Sequence, residues 1–511
     1  MRNYLSFLVV LFIITSSCKA QVEVNTFAES ITSENLKNLL YTYSSDAFEG
    51  RETGQAGQKK AVEFIKEFYV ENDIPSALES NYFQEVPLQI VKTPEVNFTV
   101  NNTTYTYFDD YISYSSAPTV SLNESELIFV GYGIDDNKYN DYQSVDVKDK
   151  IVLIKGGEPK DNTGKYIISG TKEISKWSNG RQAISSKKEA ALTNGAKAVL
   201  FIDQELFNRY SPYYKRQYRK GDSNRLSLLN LDKEIHFFLL SKKMGEAILP
   251  KSDIDNPYST IAAQIHIDYK SITVPMSSEN VVAYIEGSEK PNEFLIVSAH
   301  LDHIGISSEG EVYNGADDNG SGSVAVLEIA KAFKKASDIG YKPKRSIVFL
   351  HVTGEEKGML GSNYYTDQNP VFPLNQTIAN LNIDMIGRID PKRKSTNRNY
   401  IYLIGSDKLS TDLHNLSEDV NKKYMNIELD YKYNNENDPN RYYYRSDHYN
   451  FAKNNIPVIF YFNGTHDDYH AFSDTPDKIE YDLLENRTRL VFLTAWEIAN
   501  REKTITVDKD Q

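Results

Sequence analysis

The sequence holds one cysteine in 511 residues. That excludes an intrachain disulfide framework and any zinc cluster built from cysteines, so a metal site in this chain must be made from His, Asp and Glu. Positive charge is in deficit: 57 Lys and Arg stand against 71 Asp and Glu, for a formal net charge of −14. So acidic a surface repels phosphate backbones and argues against nucleic acid as a partner. Past the N-terminus no stretch reaches 18 apolar residues, the length that reads as a membrane span. Internal repeats and low-complexity tracts are also missing. What remains is a chain of globular composition, 40% apolar and 25% charged, long enough for two or three domains. Tyrosine is frequent, at 36 residues, without a specific functional meaning.

The N-terminus reads as an export signal over residues 1–20. Arg2 precedes an apolar run of about ten residues, Leu5 to Ile14, which fits a signal-peptide core. Cys18 follows Ser16-Ser17 and resembles the lipidation site of a bacterial lipoprotein; cleavage after Ala20 is the alternative. Either way the protein is expected outside the cytoplasm, as a periplasmic, extracellular or outer-membrane lipoprotein. Its only membrane contact would be an N-terminal lipid. Nothing in the sequence specifies an oligomeric state.

Three blocks follow. Residues 22–125 open with two amphipathic segments around the turn-rich Phe48-Glu-Gly-Arg-Glu-Thr-Gly54, with apolar residues at Ala61, Phe64, Ile65 and Phe68 in helical spacing, and continue as strand-like sequence from 81. Residues 127–265 read as an inserted domain with short strands at Leu127–Val130, Ile151–Ile154 and Ala196–Ile202. Residues 278–505 alternate strand and helix: strands near 293–298, 345–352, 378–385, 400–404 and 456–462, helices near 322–336 and 483–501. That alternation predicts an α/β sheet covered on both faces.

Five polar clusters fall at or beside the carboxyl ends of these strands, where open α/β sheets hold their ligands. They are His300-Leu-Asp302-His303, Gly315-Ala-Asp317-Asp318-Asn-Gly-Ser-Gly322, Gly354-Glu355-Glu356, Asn382-Ile-Asp384 and Asp467-Asp468-Tyr469-His470. Taken singly, each has a structural explanation: a hydrogen-bonded His, an Asp-Asn-Gly turn, acids at a helix start. Together they bring so much negative charge to one crevice that a pair of divalent cations is needed to offset it. Imidazole and carboxylate without thiolate suit zinc. Two ions need a carboxylate that reaches both, and a further one to take a proton from water; adjacent Glu355 and Glu356 suit ligation and base.

In this order the clusters read His-x-Asp, Gly-x-Asp-Asp-x-x-Ser-Gly, Gly-Glu-Glu, Asn-x-Asp-Met and Tyr-His, and so resemble family M28 metallopeptidases. The loop Phe48-Glu-Gly-Arg51 resembles members of that family too. The block 127–265 resembles a protease-associated (PA) domain in Asp149-Lys-Ile-Val-Leu-Ile154 and Gly195-Ala-Lys-Ala-Val-Leu-Phe201. The resemblance implies a three-layer α/β/α zinc-peptidase (phosphorylase/hydrolase-like) catalytic domain carrying a PA-like insertion. It implies two Zn2+ per chain: His300 and Asp384 on one, Glu356 and His470 on the other, Asp317 bridging, and a cis peptide between Asp317 and Asp318. It further implies Glu355 as general base, Asp302 orienting His300, and Tyr469 steadying the oxyanion. His303 competes with His300, and Asp318 with Asp317. Ser446-Asp447-His448 resembles a segment near the substrate pocket, while His351 reads as core and His466 as loop.

The expected activity is that of an aminopeptidase acting on peptides through a water shared by the two zincs. A single-zinc glutaminyl cyclase, a carboxypeptidase or dipeptidase of the same family, and a non-catalytic binding protein on the same fold are the alternatives. Carboxypeptidase action needs a cation for the substrate carboxylate, and Arg388, Arg441 and Arg445 are the candidates.

Overall fold

The computed structural model describes residues 24–509, apart from 80, 114–116, 222–223, 230–233, 250–253 and 255. The expected export signal and Cys18 lie outside the described residues. The chain divides into two units: one formed by the segments up to Leu88 and from Met276 onward, the other by Gln89–Pro275. No helix among the described residues is long and apolar enough to cross a membrane.

The first unit is built on strands β1 (Phe83–Val91), β2 (Thr273–Ile285), β3 (Lys290–His300), β4 (Arg345–Val352), β5 (Thr377–Ile383), β6 (Tyr400–Ile404), β7 (Glu428–Asp430) and β8 (Val458–Phe462). Their order across the sheet is β1-β2-β4-β3-β5-β8-β6-β7. The centre is parallel: β4 with β3, β3 with β5, β5 with β8. Antiparallel pairs, β2 with β4 and β6 with β8, flank it. All eight residues of β4 are buried, as expected of a strand covered on both faces.

The pleat sorts the side chains into two cores. Leu295, Val297 and Ala299 of β3 join one, with helices α1 (Ser33–Tyr43), α2 (Ala56–Glu71), α3 (Gly322–Asp338) and α4 (Tyr481–Asn500). Phe294 and Ile296 of the same strand join the other, with Tyr365, Phe451 and Ala452. This is the expected three-layer α/β/α arrangement. Helix α3 is buried along most of its length, and its Phe333 packs on Phe349, Phe492 and Trp496.

The second unit holds an eight-stranded mixed sheet with a core on each face. It begins earlier than the sequence suggested. The strand Glu95–Val100 and the first half of Val120–Gly131, expected in the N-terminal part of the catalytic domain, pair on either side of Ser259–Lys270. Ladder hydrogen bonds tie residues 95–100 and 120–129 to this unit; alternating β-branched sequence alone does not reveal a partner 130 to 175 residues away.

Candidate metal centre

His300 is the last residue of β3, and its ring is fixed by a hydrogen bond from Nδ1 to the carbonyl oxygen of Asp302, at 3.1 Å. Its Nε2 stands 3.3 Å from Asp318 Oδ1 and 3.4 Å from Asp384 Oδ1 and makes no hydrogen bond. Asp318 Oδ2 lies 3.1 Å from His470 Nε2, which is itself 3.2 Å from Glu356 Oε2. The other oxygen of Glu356 hydrogen bonds to His303 Nδ1 at 2.8 Å. Two groups therefore share one carboxylate: His300, Asp318 and Asp384 on one side, Asp318, Glu356 and His303 on the other, each with its ligand atoms within 4.8 Å of one another. His470 reaches into the second group.

The shared carboxylate is Asp318, where Asp317 was expected. Asp317 Oδ1 accepts the Gly387 N–H at 2.7 Å, and its Oδ2 faces His466 Nε2 at 3.1 Å. Backbone geometry decides this, since consecutive side chains leave a turn in different directions. The cis peptide is correspondingly Asp318-Asn319 and not Asp317-Asp318. Gly315 opens the turn at φ +54°. A Cβ there would lie 2.4 Å from the Asp318 carbonyl oxygen and 2.5 Å from the His303 ring, so no other residue fits.

Asp302 also differs from expectation. Its carboxylate is 3.9 Å from His300 Nδ1, beyond hydrogen-bond reach. That carboxylate instead accepts the Glu355 N–H (3.1 Å) and the Thr53 hydroxyl (2.8 Å), so it fixes the loop that carries Glu355 while its carbonyl orients His300. Behind Asp384 a chain of hydrogen bonds crosses the sheet ends. Asn380 donates to Ser298, Ser298 to Asn382, Asn382 to Ser446, and Ser446 to Asp384 Oδ2 at 2.7 Å. Ser446 is thus part of the support, whereas His351 is core, bonded to Tyr69.

Two supports were not singled out from sequence. Asp474 Oδ2 accepts both the Asp317 and Asp318 N–H groups. Arg51, buried, donates to the carbonyls of Tyr43, Leu301, Asn314 and Gly315 and lies over the Tyr43 ring. It ties together the loops that carry His300 and Asp318. The only sequence signals were its place in Phe48-Glu-Gly-Arg51 and, for Asp474, a turn-rich Ser-Asp-Thr-Pro stretch.

The electrostatics show how much cation the centre demands. Burial pushes His470 down, but hydrogen bonds to Asp318 and Glu356 outweigh it and lift the imidazole to about 10. Burial opposes Asp318 too, yet His300 and His470 hold it well below the carboxylate range. Burial and the Asp318 charge would raise Glu356; its bonds to His303 and His470 bring it to about 2. Glu355 goes the other way. Burial lifts it well above the usual range, His300 opposes, and Glu356 and Asp384 add to the rise. Its carboxylate has no hydrogen-bond partner among the described residues. It lines a pocket with Asp318, Asp384, Tyr469, Phe460 and Arg445. The Tyr469 ring stacks on His470, and burial and the Asp318 charge raise its hydroxyl.

These residues fit zinc: the unbonded, buried Nε2 of His300 points among carboxylates, with no thiolate. The first position would take His300, Asp384 and Asp318, the second Asp318, Glu356 and an imidazole.

Residues 280–495 match the family model described as Peptidase family M28. A probable glutamate carboxypeptidase LAMP1 of Arabidopsis thaliana is 32% identical over 120 residues, 24% of this chain and 16% of that protein. Leupeptin-inactivating enzyme 1 of Streptomyces exfoliatus is 37% identical over 112 residues, 22% of this chain and 23% of that one. The matched stretch thus spans less than a quarter of these relatives' length. The aminopeptidase from Aneurinibacillus sp. strain AM-1 superposes over 96% of this chain and 98% of its own, at 18% identity and a TM-score of 0.48.

Proposed function

Because residues 280–495 match the model of peptidase family M28, we propose that the chain is an exported zinc-dependent aminopeptidase with two Zn2+ per chain and Glu355 as general base. The observation that carries this reading is the carboxylate of Asp318 shared by two His/carboxylate groups, with the unbonded Glu355 beside it in a pocket.

Zinc held there supplies the Lewis acidity that makes water nucleophilic and polarises a carbonyl. The chain's own residues do the rest. Glu355, its N–H held by Asp302, takes a proton from the attacking water at its carboxylate oxygen. As the C–O bond forms and the C–N bond breaks, Glu355 returns that proton to the leaving nitrogen. Tyr469, kept protonated by its buried, acidic surroundings, donates to the carbonyl oxygen as charge gathers on it. Phe460, Phe462 and Tyr442 give the pocket an apolar wall for the residue beside the cleaved bond.

Cleavage of free and N-blocked peptides, with zinc and after chelation, tests this. An aminopeptidase loses activity on N-blocking and on chelation, and metal analysis returns two zincs. Cleavage of blocked peptides from the carboxyl end would favour the second reading, a carboxypeptidase, which Arg445 in the pocket wall supports. One zinc per chain with cyclisation of N-terminal glutamine would point to a glutaminyl cyclase. Export follows from the reading of residues 1–20, and Cys18→Ala separates a lipid-anchored form, which it would release, from a freely secreted one, which it would leave unchanged. The inserted unit is read as PA-like.

A further inference from the structure

The pocket at the metal centre does not end there. Tyr442 and Thr465 line it and also line a neighbouring cavity; Tyr433, Asn435 and Asp438 line that cavity and also a third. Through these shared lining residues the three adjoin one another along segment 432–449, a groove in three parts. In a chain with 14 more acids than bases, its charge is reversed. Away from the metal-facing carboxylates, five cations line it, Lys392, Lys408, Lys432, Arg441 and Arg445, against Glu436 and Asp438. Glu436 pairs with Lys408 at 4.0 Å. Asp438 is engaged by the backbone N–H groups of Asn440 and Tyr442. Lys392, Lys432, Arg441 and Arg445 have no carboxylate partner among the described residues. Three of them are held in place over rings: Lys432 over Tyr433, Arg441 over Tyr444, Arg445 over Tyr442. Of the three arginines with a possible carboxylate role, Arg388 is already paired with Asp468 at 2.9 Å, which leaves the other two.

We infer that this groove carries the body of an acidic peptide substrate, whose end residue sits at the metal centre and whose Asp and Glu side chains meet the unpaired cations. The inference rests on the peptidase reading for what occupies the metal centre. The tyrosines supply flat, stiff contact surface, and the cations supply the selection. Such exposed charges are screened by salt, so the preference is largest at low ionic strength.

Binding tests it apart from turnover. Two labelled peptides share an N-terminal leucine and an N-methylated, uncleavable first bond; one continues in glutamate, the other in glutamine. On the zinc-loaded protein at low salt the glutamate peptide binds about tenfold or more tighter. The combined Lys392→Gln, Lys432→Gln and Arg441→Gln variant brings it to the level of the glutamine peptide, with an unchanged melting temperature. Equal binding of the two peptides, or a preference that survives in the variant, overturns the inference. Leucine amide, too short to reach the groove, is followed in parallel. If it is cleaved while the peptides bind alike, the groove inference alone falls. If it is not cleaved but glutamate is preferred, the groove stands and the peptidase reading falls.

Discussion

Asp317 and Asp318 are neighbours in sequence with separate partners. Asp318 lies between His300 and His470, at 3.3 and 3.1 Å, while Asp317 binds the Gly387 N–H and faces His466. The two substitutions therefore differ in kind. Asp318→Asn removes the charge that both proposed metal positions share, so zinc content is expected to fall below one per chain and turnover to drop by about a thousandfold or more. Asp317→Asn keeps both zincs and loses about 1–3 kcal/mol of stability from a weakened buried contact. Metal analysis and melting curves of the two variants separate these outcomes.

Glu355→Gln keeps the shape and hydrogen-bonding reach of the side chain but cannot take a proton. Turnover should fall by about 10²–10⁴ with zinc content unchanged. Loss of zinc in this variant would make Glu355 a ligand and not the base.

His470 and His303 are the two imidazoles available to the second proposed metal position. His303 Nδ1 is committed to Glu356 at 2.8 Å, whereas His470 Nε2 is within reach of both Asp318 and Glu356. His470→Gln is expected to lose one of two zinc equivalents. His303→Gln is expected to keep both, with zinc affinity lowered by about 10–100-fold. The opposite pattern would exchange their roles.

Ser446 is the last donor of the chain that ends on Asp384 Oδ2. Ser446→Ala leaves every proposed ligand in place yet frees Asp384 to turn. Zinc affinity should fall by about 10–100-fold, read by competition with a chelator.

Acid stability depends on His351, which burial pushes down to about 3. Its folded-state value lies below that of the unfolded chain. The folded protein therefore keeps His351 neutral while the unfolded chain takes up a proton below about pH 6.5. This contribution is fully present above that pH and is lost as pH falls toward 3, at about 1.4 kcal/mol per pH unit. Urea unfolding of wild type and His351→Gln from pH 7 to 4 should show a pH slope shallower by about one proton in the variant.

Much of this molecule was legible in the chain. The strands Arg345–Val352 and Tyr400–Ile404 fall where their apolar runs lie, because a strand buried on both faces must be apolar throughout. His300, Glu356, Asp384 and His470 converge as their places at strand ends imply. Three features were not legible. Asp317 and Asp318 are chemically identical, and only the turn after Gly315 decides which one faces the cluster. Asp302 acts on His300 through a carbonyl oxygen, a group every residue has. Strands at 95–100 and 120–131 belong with 259–270 through ladder hydrogen bonds that leave no mark on side-chain type.

The sequence by itself determined the chemistry: acids and imidazoles without thiolates, placed at the ends of apolar strands. Only the tertiary structure decided the geometry, meaning which aspartate is shared, which imidazoles stay unbonded, and how the cations of 432–445 line one groove. Residue type sets what a side chain can bind, whereas its direction follows from backbone torsions and from neighbours hundreds of residues away.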